Sequence, residues 1–242
     1  LMLWKGADWL VEAAAEIAHS LKISDLVIGL TVVAFGTSAP EFAVTIKAAL
    51  TGQTDISIGN VVGSNIFNLG FILGGTAMIR AITITPKLLY RDGLFLLFVT
   101  ILIYALFFIF NASDGGNTFT AIEGSGLFIA LIGYIIFLFV KKEPMEETHP
   151  ESADLKSYLW FFVGLISIVL GGHLMVEHAS SLASAFGVSD WVIAVTIVAA
   201  GTSAPELATS LTAAFKNKHG MAIGNLIGSD LFNLLGVLGL AG

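Results

Sequence analysis

The sequence predicts an all-α, polytopic membrane protein built from inverted repeats, with about eight membrane spans present and the bundle truncated at both ends. Hydrophobic residues make up 56% of the 242-residue chain and charged residues 12%, about half of the roughly 25% that soluble domains carry. A soluble fold has to cover its surface with polar side chains, and a mean hydropathy of +0.89 does not allow this. The bilayer is therefore the expected solvent.

Eight apolar stretches approach the length of about 20 residues that a transmembrane helix needs. They lie near 1–18, 26–50, 56–79, 90–110, 120–140, 157–183, 189–214 and 221–242. The chain opens and closes inside apolar runs, so we expect its first and last helices to be incomplete. The only strongly polar connector is KKEPMEETHPESADLK. It divides the chain into a first transmembrane repeat at 1–140, a linker at 141–156 and a second, C-terminally incomplete repeat at 157–242.

The basic residues assign the two sides of the membrane. Lys and Arg follow the first, third, fifth and seventh predicted spans, and the connectors after the second, fourth and sixth contain none. Cytoplasmic loops carry the excess of positive charge, so this alternation predicts an N-terminus outside and a cytoplasmic 141–156 linker. The residues concerned are Lys22, Arg80, Lys87, Arg91, Lys141, Lys142, Lys216 and Lys218.

The remaining composition argues against several functional classes. A formal net charge of −7 disfavours a nucleic-acid partner, which requires a basic face. The chain has no cysteine, and its five histidines show no metal-ligand spacing, so a disulfide framework and a thiolate or histidine metal centre are not expected. The spans contain no nucleophile-and-base pair, which argues against an enzyme. No cofactor and no obligatory protein partner are indicated.

The chain contains an internal repeat at an offset of 165 residues. TVVAFGTSAPE at 31–41 recurs as TIVAAGTSAPE at 196–206, and IGNVVGSNIFN at 58–68 recurs as IGNLIGSDLFN at 223–233. The seventh span follows the second by five crossings, an odd number, so the two copies enter the membrane from opposite sides. Inverted repeats are a common plan of secondary transporters, which bind substrate near the midplane where the repeats meet.

The centre of the second span carries polar residues that suit a hard cation. An ionisable residue such as Glu41 costs at least ~2.5–3.5 kcal/mol at the bilayer centre and is functional by default. Helical spacing places Thr37 and Ser38 beside Glu41. Pro40 removes a backbone donor, which bends the helix and releases carbonyl oxygens near Ala34. Such oxygens are the ligands that Ca²⁺ takes, and the second copy repeats them with Ala199, Thr202, Ser203, Pro205 and Glu206.

The neighbouring spans add further oxygen atoms. Ser64 and Asn68 lie four residues apart, as do their counterparts Ser229 and Asn233. Asp230 stands where the first copy has Asn65. It is either a further ligand or a protonated acid against a neighbouring helix. Small residues at four-residue spacing predict close helix packing; these are Gly59, Gly63, Gly224 and Gly228.

No Lys or Arg lies mid-helix beside Glu41 or Glu206. Two unpaired carboxylates require two positive charges, which one Ca²⁺, two or more Na⁺, or protons supply. Competition between these ions for one site is a physical basis for antiport.

These motifs resemble the alpha repeats of the cation/calcium exchanger superfamily, and most closely those of its prokaryotic sodium/calcium exchanger branch. The resemblance rests on GTSAPE at 36–41 and 201–206 with GNVVGSNIFN at 59–68 and GNLIGSDLFN at 224–233, and it covers essentially the whole chain. It implies inverted 5+5 helix repeats, of which this chain lacks the start of the first helix and the last two helices. It also implies the plasma (inner) membrane of a prokaryote.

The resemblance implies a role for each matching position. Glu41 and Glu206 would be the central ligands shared by Ca²⁺ and Na⁺, and the carbonyls of Ala34 and Ala199 would complete the sodium sites. Hydroxyl and amide ligands would come from Thr37, Thr202, Ser38, Ser203, Ser64, Ser229, Asn68 and Asn233. Some relatives, including potassium-dependent ones, have aspartate at the last of these positions, so potassium dependence is not expected.

The implied function is exchange of Na⁺ for Ca²⁺ by alternating access, with these ions and the lipid bilayer as partners. The Thr-Ser pair before each glutamate favours Na⁺, because proton/calcium exchangers of the superfamily tend to have fewer hydroxyls there. Exchange of H⁺ or another cation for Ca²⁺ on the same fold is the alternative. A cation channel is disfavoured, since channels select ions with rings of ligands around an axis and these ligands form one inverted pair.

Overall fold

The computed structural model describes residues 1–107, 120–141 and 153–241, and every regular element in this part of the chain is helical. The α-helices are α1 (Met2–Leu21), α2 (Asp25–Ile28), α3 (Ala34–Thr37), α4 (Ala39–Leu50), α5 (Thr54–Ile66), α6 (Gly74–Ile79), α7 (Leu94–Ala105), α8 (Ala121–Val140), α9 (Leu155–Ala185), α10 (Asp190–Ile193), α11 (Ala199–Thr202), α12 (Ala204–Phe215), α13 (His219–Leu231) and α14 (Leu238–Ala241). π-Helical segments adjoin them at Gly29–Val33, Phe67–Leu73, Leu88–Gly93, Ala194–Val198 and Phe232–Val237. The all-α prediction is confirmed.

Within the described residues, five helical segments are long and apolar enough to cross a membrane, and a sixth results if the bent pair Met2–Leu21 and Asp25–Thr37 counts as one span. The predicted spans at 26–50 and 189–214 are not continuous helices, because each breaks near its centre. The prediction of a polytopic membrane protein is confirmed, and the span count agrees roughly with the predicted eight. The five single spans are Ile56–Ile79, Leu88–Ala105, Ala121–Val140, Leu155–Ala185 and His219–Ala241.

Most of the predicted linker at 141–156, including Lys142, lies outside the described residues. α9 begins at Leu155, two residues before the predicted start of the second repeat. Asp154 caps this helix by accepting hydrogen bonds from the backbone N–H groups of Ser157 at 3.0 Å and Lys156 at 2.8 Å. These bonds, that of Ser157 first, hold the pKa of the Asp154 carboxyl below its usual value. The division of the chain into two repeats and a linker stays a prediction.

The 165-residue offset is visible in the backbone as well as in the sequence. In the described part of the chain, four residues have positive φ, and they form two pairs at this offset, Lys22 with Gly187 and Gly52 with Asn217. The π-helical segment at Gly29–Val33 has its counterpart at Ala194–Val198. The two copies therefore end and distort their helices at equivalent positions.

The two copies differ in how closely they pack. α13 and α14 are buried along almost their whole length, and α13 contacts α2 and α3. A Cβ atom at Gly224 or Gly228 would lie 2.7 or 2.6 Å from a backbone carbonyl oxygen, so the prediction of close packing is confirmed there. Close packing is not seen at Gly59 and Gly63, where no atom of the described residues lies within 4 Å of the Cβ position, although α5 contacts α11 elsewhere along its length.

Loops that the basic residues assign to the cytoplasm meet at one end of the bundle. Arg80 Nη2 donates to Asn217 Oδ1 at 2.6 Å, and Lys218 Nζ lies 3.5 Å from Asp25 Oδ2. The loops after the first, third and seventh predicted spans therefore lie on one side, as the charge pattern requires.

The first and sixth predicted spans form a close pair through small residues. A Cβ atom at Gly164 of α9 would lie 2.7 Å from the Gly6 carbonyl oxygen of α1. Ser157 Oγ donates to Glu16 Oε2 at 2.5 Å across the same interface. α1 and α9 therefore behave as one packed unit.

Candidate cation site

The predicted second and seventh spans are both interrupted by a serine. Ser38 has φ −78° and ψ 3° between α3 and α4, and Ser203 has φ −88° and ψ 12° between α11 and α12. Pro40 and Pro205 follow in the first turn of each new helix, where a missing backbone N–H is tolerated. A helix interruption next to the proline is therefore present in both copies, and the predicted bend stays a prediction.

The two glutamates lie in the first turns of the new helices. Glu41 belongs to α4 and Glu206 to α12, and both side chains are fully buried. The N-terminal end of a helix carries partial positive charge, which stabilises a carboxylate placed there. The breaks therefore provide an electrostatic environment for negative charge inside the membrane.

The breaks also change which side chains meet. The prediction that Thr37 and Ser38 lie beside Glu41 of the same copy stays a prediction. The hydrogen bonds that Ser38 and Ser203 donate to the carboxylates run between the copies. Ser38 Oγ donates to Glu206 Oε1 at 3.1 Å, and Ser203 Oγ donates to Glu41 Oε1 at 3.0 Å. Each glutamate is therefore held by a hydroxyl group of the opposite copy.

The threonines take part in the same cross-repeat contacts. Thr37 Oγ1 donates to Asn225 Oδ1 at 3.0 Å and lies 3.4 Å from Ser229 Oγ. Ser229 Oγ donates to Glu206 Oε1 at 3.3 Å. Thr202 is buried within hydrogen-bonding reach of the other glutamate. The predicted hydroxyl groups therefore surround both carboxylates.

A second symmetric pair of bonds joins the neighbouring helices. Asn68 Nδ2 donates to Asp230 Oδ1 at 2.9 Å, and Asn233 Nδ2 donates to Asn65 Oδ1 at 3.0 Å. Asn233 is the repeat equivalent of Asn68, and Asn65 is the repeat equivalent of Asp230, each at the 165-residue offset. Ser64, also predicted as a ligand, is buried in the same region of α5.

The sequence also predicts the backbone carbonyl oxygens of Ala34 and Ala199 as ligands. The Ala34 carbonyl accepts hydrogen bonds from the Ser38 N–H at 3.0 Å and from Thr37 Oγ1 at 3.3 Å, so it is not released as the sequence suggested. Ala199 begins α11, and its side chain lies outside the described atoms. The binding of Na⁺ by these carbonyls stays a prediction.

Several buried oxygen atoms of these residues lack a hydrogen-bond partner. An unsatisfied buried polar group costs about 1–3 kcal/mol, and more when it is charged. One bound cation is the kind of partner that carboxylate, amide and hydroxyl oxygens share, so the residues fit a hard cation. Among the described side chains the unpartnered atoms at this site are Glu41 Oε2, Glu206 Oε2, Asp230 Oδ2, Asn68 Oδ1, Asn233 Oδ1 and Ser64 Oγ.

The site differs from a metal centre built mainly of charged ligands. The part of the chain that the structure describes contains no group of three or more His, Cys, Asp or Glu side chains placed to hold a metal ion. Neutral hydroxyl and amide oxygens therefore make up much of the polar surroundings of Glu41 and Glu206. Weakly held hard cations suit such a set better than tightly held transition metals.

Sequence reasoning missed a set of supporting polar residues. Asn60 Nδ2 donates to Thr45 Oγ1 at 2.9 Å, and its counterpart Asn225 Nδ2 donates to Ser210 Oγ at 3.0 Å. Thr45 and Ser210 lie one helical turn after the two glutamates, at the same 165-residue offset. The internal repeat could have identified all four, because both asparagines belong to the repeated IGN tripeptide.

Fold and candidate site together define the class of polytopic membrane proteins in which buried acidic residues of two repeated segments meet. The family model described as sodium/calcium exchanger protein matches residues 1–140 and 156–242, and the chain belongs to this family. The predicted membership of the cation/calcium exchanger superfamily is therefore confirmed.

Individual relatives cover almost the whole chain. The membrane protein MJ0091 of Methanocaldococcus jannaschii is 39% identical over 98% of this chain and 77% of its own length. The sodium/calcium exchanger MaX1 of Methanosarcina acetivorans is 33% identical over 100% of this chain and 80% of its own. A solved structure of the sodium-calcium exchanger NCX_Mj has a TM-score of 0.83 at 37% identity, over 99% of this chain and 78% of that one.

Proposed function

We propose that this protein exchanges Na⁺ for Ca²⁺ across a membrane by alternating access at Glu41 and Glu206. The observation that carries the proposal is the reciprocal pair of bonds from Ser38 to Glu206 and from Ser203 to Glu41, with the second oxygen of each carboxylate buried and unpartnered. None of the ion pairs found in the described residues involves either glutamate. Neither glutamate is therefore paired with a basic residue in the described part of the chain.

The remaining ligands follow from the contacts around these carboxylates. Hydroxyl and amide oxygens close to them complete the coordination of Ca²⁺, and subsets of the same atoms with backbone carbonyls hold Na⁺. Because each carboxylate is positioned by the opposite repeat, relative motion of the two repeats alters the coordination. The proposed set is Thr37, Thr202, Ser38, Ser203, Ser64, Ser229, Asn68 and Asn233, with the carbonyls of Ala34 and Ala199.

Sodium is the proposed counter-ion. MaX1 is named a sodium/calcium exchanger, and NCX_Mj structures come from crystals soaked with Na⁺ and Ca²⁺. The hydroxyl-rich surroundings of both glutamates support the same choice. H⁺ as counter-ion is the competing proposal, and it uses the same carboxylates. The proposed activity is transport alone, without chemical catalysis and without a cofactor.

The packing difference between the repeats supports an outward-open state. The pattern of basic residues supports a cytoplasmic position for the closely packed ends of α2 and α13, in a prokaryotic plasma membrane with the N-terminus outside. The loosely packed α5 then faces an opening on the other side. We propose that the α1–α9 pair slides past the other helices to reverse this arrangement.

Uptake of radioactive calcium into sodium-loaded proteoliposomes containing the full-length protein tests the proposal. Uptake is expected to require an outward Na⁺ gradient and to disappear in Glu206→Gln. Glu177→Gln is the matched control, because Glu177 is an exposed carboxylate of α9, and it is expected to transport normally. Uptake that ignores Na⁺ and follows a proton gradient would establish the competing coupling ion. No uptake under either gradient would overturn the calcium assignment.

A further inference from the structure

The first helix carries a line of three acidic side chains along one face. Asp8, Glu12 and Glu16 of α1 are spaced four residues apart, and residues at this spacing are neighbours on a helix surface. These three carboxylates are called the acidic stripe below. Lys216, which follows α12 directly, joins the stripe at one end: its Nζ atom lies 2.6 Å from Asp8 Oδ1 and also contacts Glu12 Oε1.

These ion pairs connect the two parts of the protein that the proposed cycle moves against each other. α1 is packed against α9, whereas α12 carries Glu206 of the candidate site in its first turn. The side chains are only partly shielded from solvent, with 23% of Lys216 and 29% of Asp8 exposed. Partly exposed ion pairs contribute little free energy. The contact between α1 and Lys216 is therefore weak enough to break and form again in each cycle.

The third carboxylate offers Lys216 a second position. Glu16 Oε2 accepts a hydrogen bond from Ser157 Oγ of α9 at 2.5 Å, and this bond lies inside the α1–α9 pair, so it is kept when the pair moves. A shift of α1 by four residues corresponds to about 6 Å along its axis. After this shift, Glu16 would stand where Glu12 is now, and Glu12 would stand where Asp8 is now. Lys216 would again face two carboxylates.

A shift in the opposite direction would not preserve the pairing. The residues that precede Asp8 by four and three positions are Trp4 and Lys5. Lys216 would exchange Glu12 for an aromatic ring and would approach a second ammonium group, and like charges repel each other. The sequence of α1 therefore favours a slide of this helix toward its own N-terminus.

The second copy of the repeat lacks the same set of charges. At the 165-residue offset, a threonine takes the place of Lys216, and the equivalents of Asp8 and Glu16 are histidine and serine. Only Glu12 has an acidic counterpart, which is Glu177 of α9. The lysine and the two outer carboxylates therefore occur together in one copy, which indicates that they act together.

We propose that Lys216 and the acidic stripe form an ionic ratchet that sets the length and the direction of the slide of the α1–α9 pair. This inference rests on the proposed Na⁺/Ca²⁺ exchange and adds the contacts that define its two end states. Lys216 binds Asp8 and Glu12 in the present state, and it binds Glu12 and Glu16 after the slide. Glu12 is the shared partner. Steps of one helical turn between packed elements are a known form of conformational switching, and Lys216 acts here as a positioning residue.

The separation of two spin labels on α1 and α12 measures the register directly. Met2 and Phe215 are exposed, and the chain has no cysteine of its own, so Met2→Cys and Phe215→Cys provide the labelling sites. In the full-length, reconstituted protein we expect two separations that differ by about 6 Å, the longer one after the slide. Asp8→Asn should favour the longer separation and Glu16→Gln the shorter one, because each variant weakens one register.

Variants of the lysine supply a second arm, which keeps the inference testable if a variant of the acidic stripe fails to fold. Lys216→Arg retains the charge and is expected to retain both separations. Lys216→Gln should merge them into one broad distribution and slow sodium-driven Ca²⁺ uptake severalfold. Glu177→Gln is the matched control, because it changes the counterpart of Glu12 outside the ratchet, and it should alter neither the separations nor the uptake rate.

The possible results separate the ratchet from the proposed function. Equal populations of the two separations in Asp8→Asn and Glu16→Gln would overturn the ratchet. Two sharp separations in Lys216→Gln would do the same, and in both cases the proposed exchange would stand. Wild-type protein without sodium-driven uptake would instead refute the proposed function.

Discussion

The two copies of the repeat share their motifs but not their packing. In the second copy, a Cβ atom at Gly228 would lie 2.6 Å from both the Leu30 carbonyl oxygen and the Ala34 Cβ atom. In the first copy, no atom of the described residues lies within 4 Å of the Cβ position of Gly63. Within the described residues, the second copy is therefore packed more tightly than the first. Under the proposed alternating-access cycle, the equivalent glycines would pack closely in opposite states.

The two carboxylates, in contrast, share one symmetric contact. Glu41 and Glu206 are both fully buried, and each accepts one hydrogen bond from a serine of the other copy. The two copies are therefore equivalent in the serine contacts of their glutamates and differ in how closely their glycines are packed. An ion bound at this centre contacts equivalent groups whichever side is open.

The largest effect is expected from removing either central charge. Glu41→Gln and Glu206→Gln should each lower Ca²⁺ affinity at least about 100-fold, because half of the central charge is lost, which corresponds to about 2.8 kcal/mol. Calcium titration of the purified variants measures this. Losses of Ca²⁺ affinity that differ strongly between the two variants would contradict equivalent roles for Glu41 and Glu206.

A smaller effect, which differs between the two copies, is expected from substituting Gly228 or Gly63. Gly228→Val should lower the thermal stability of the protein, because overpacking against backbone costs typically about 1–3 kcal/mol. Gly63→Val should leave the melting temperature nearly unchanged and slow transport, because this position closes only in the opposite state. Fluorescence-detected melting and initial uptake rates distinguish the two. Equal losses of stability in both variants would show that the packing difference does not exist in the membrane.

The smallest effect is expected at the supporting asparagines. Asn225 contacts both Ser210 and Thr37 through its side chain, at 3.0 Å in each case. Asn60 contacts Thr45 at 2.9 Å and reaches the Glu41 carbonyl only at 3.5 Å. Asn225→Ala should therefore reduce calcium affinity more than Asn60→Ala, by a further factor of about ten for one additional buried hydrogen bond. Equal losses in calcium titration would indicate that the two asparagines exchange roles during the cycle.

Much of this architecture could be predicted from the sequence, because apolar length and a long repeated motif are one-dimensional features. Helix interruption near Pro40 was also predictable. The partner of Ser38 was not, since its hydroxyl group donates to Glu206, 168 residues away in sequence, and helical spacing predicts only contacts within one helix. The looser packing of the first copy was equally hidden, because Gly63 and Gly228 stand at equivalent positions of the repeated motif.

Counting the calcium ions bound by one chain tests the central claim, that both repeats build one site, most directly. Calorimetric titration is expected to show one Ca²⁺ per chain, displaced competitively by Na⁺ and lost when either Glu41 or Glu206 is changed to Gln. Two independent Ca²⁺ sites, with one surviving in each variant, would contradict the account.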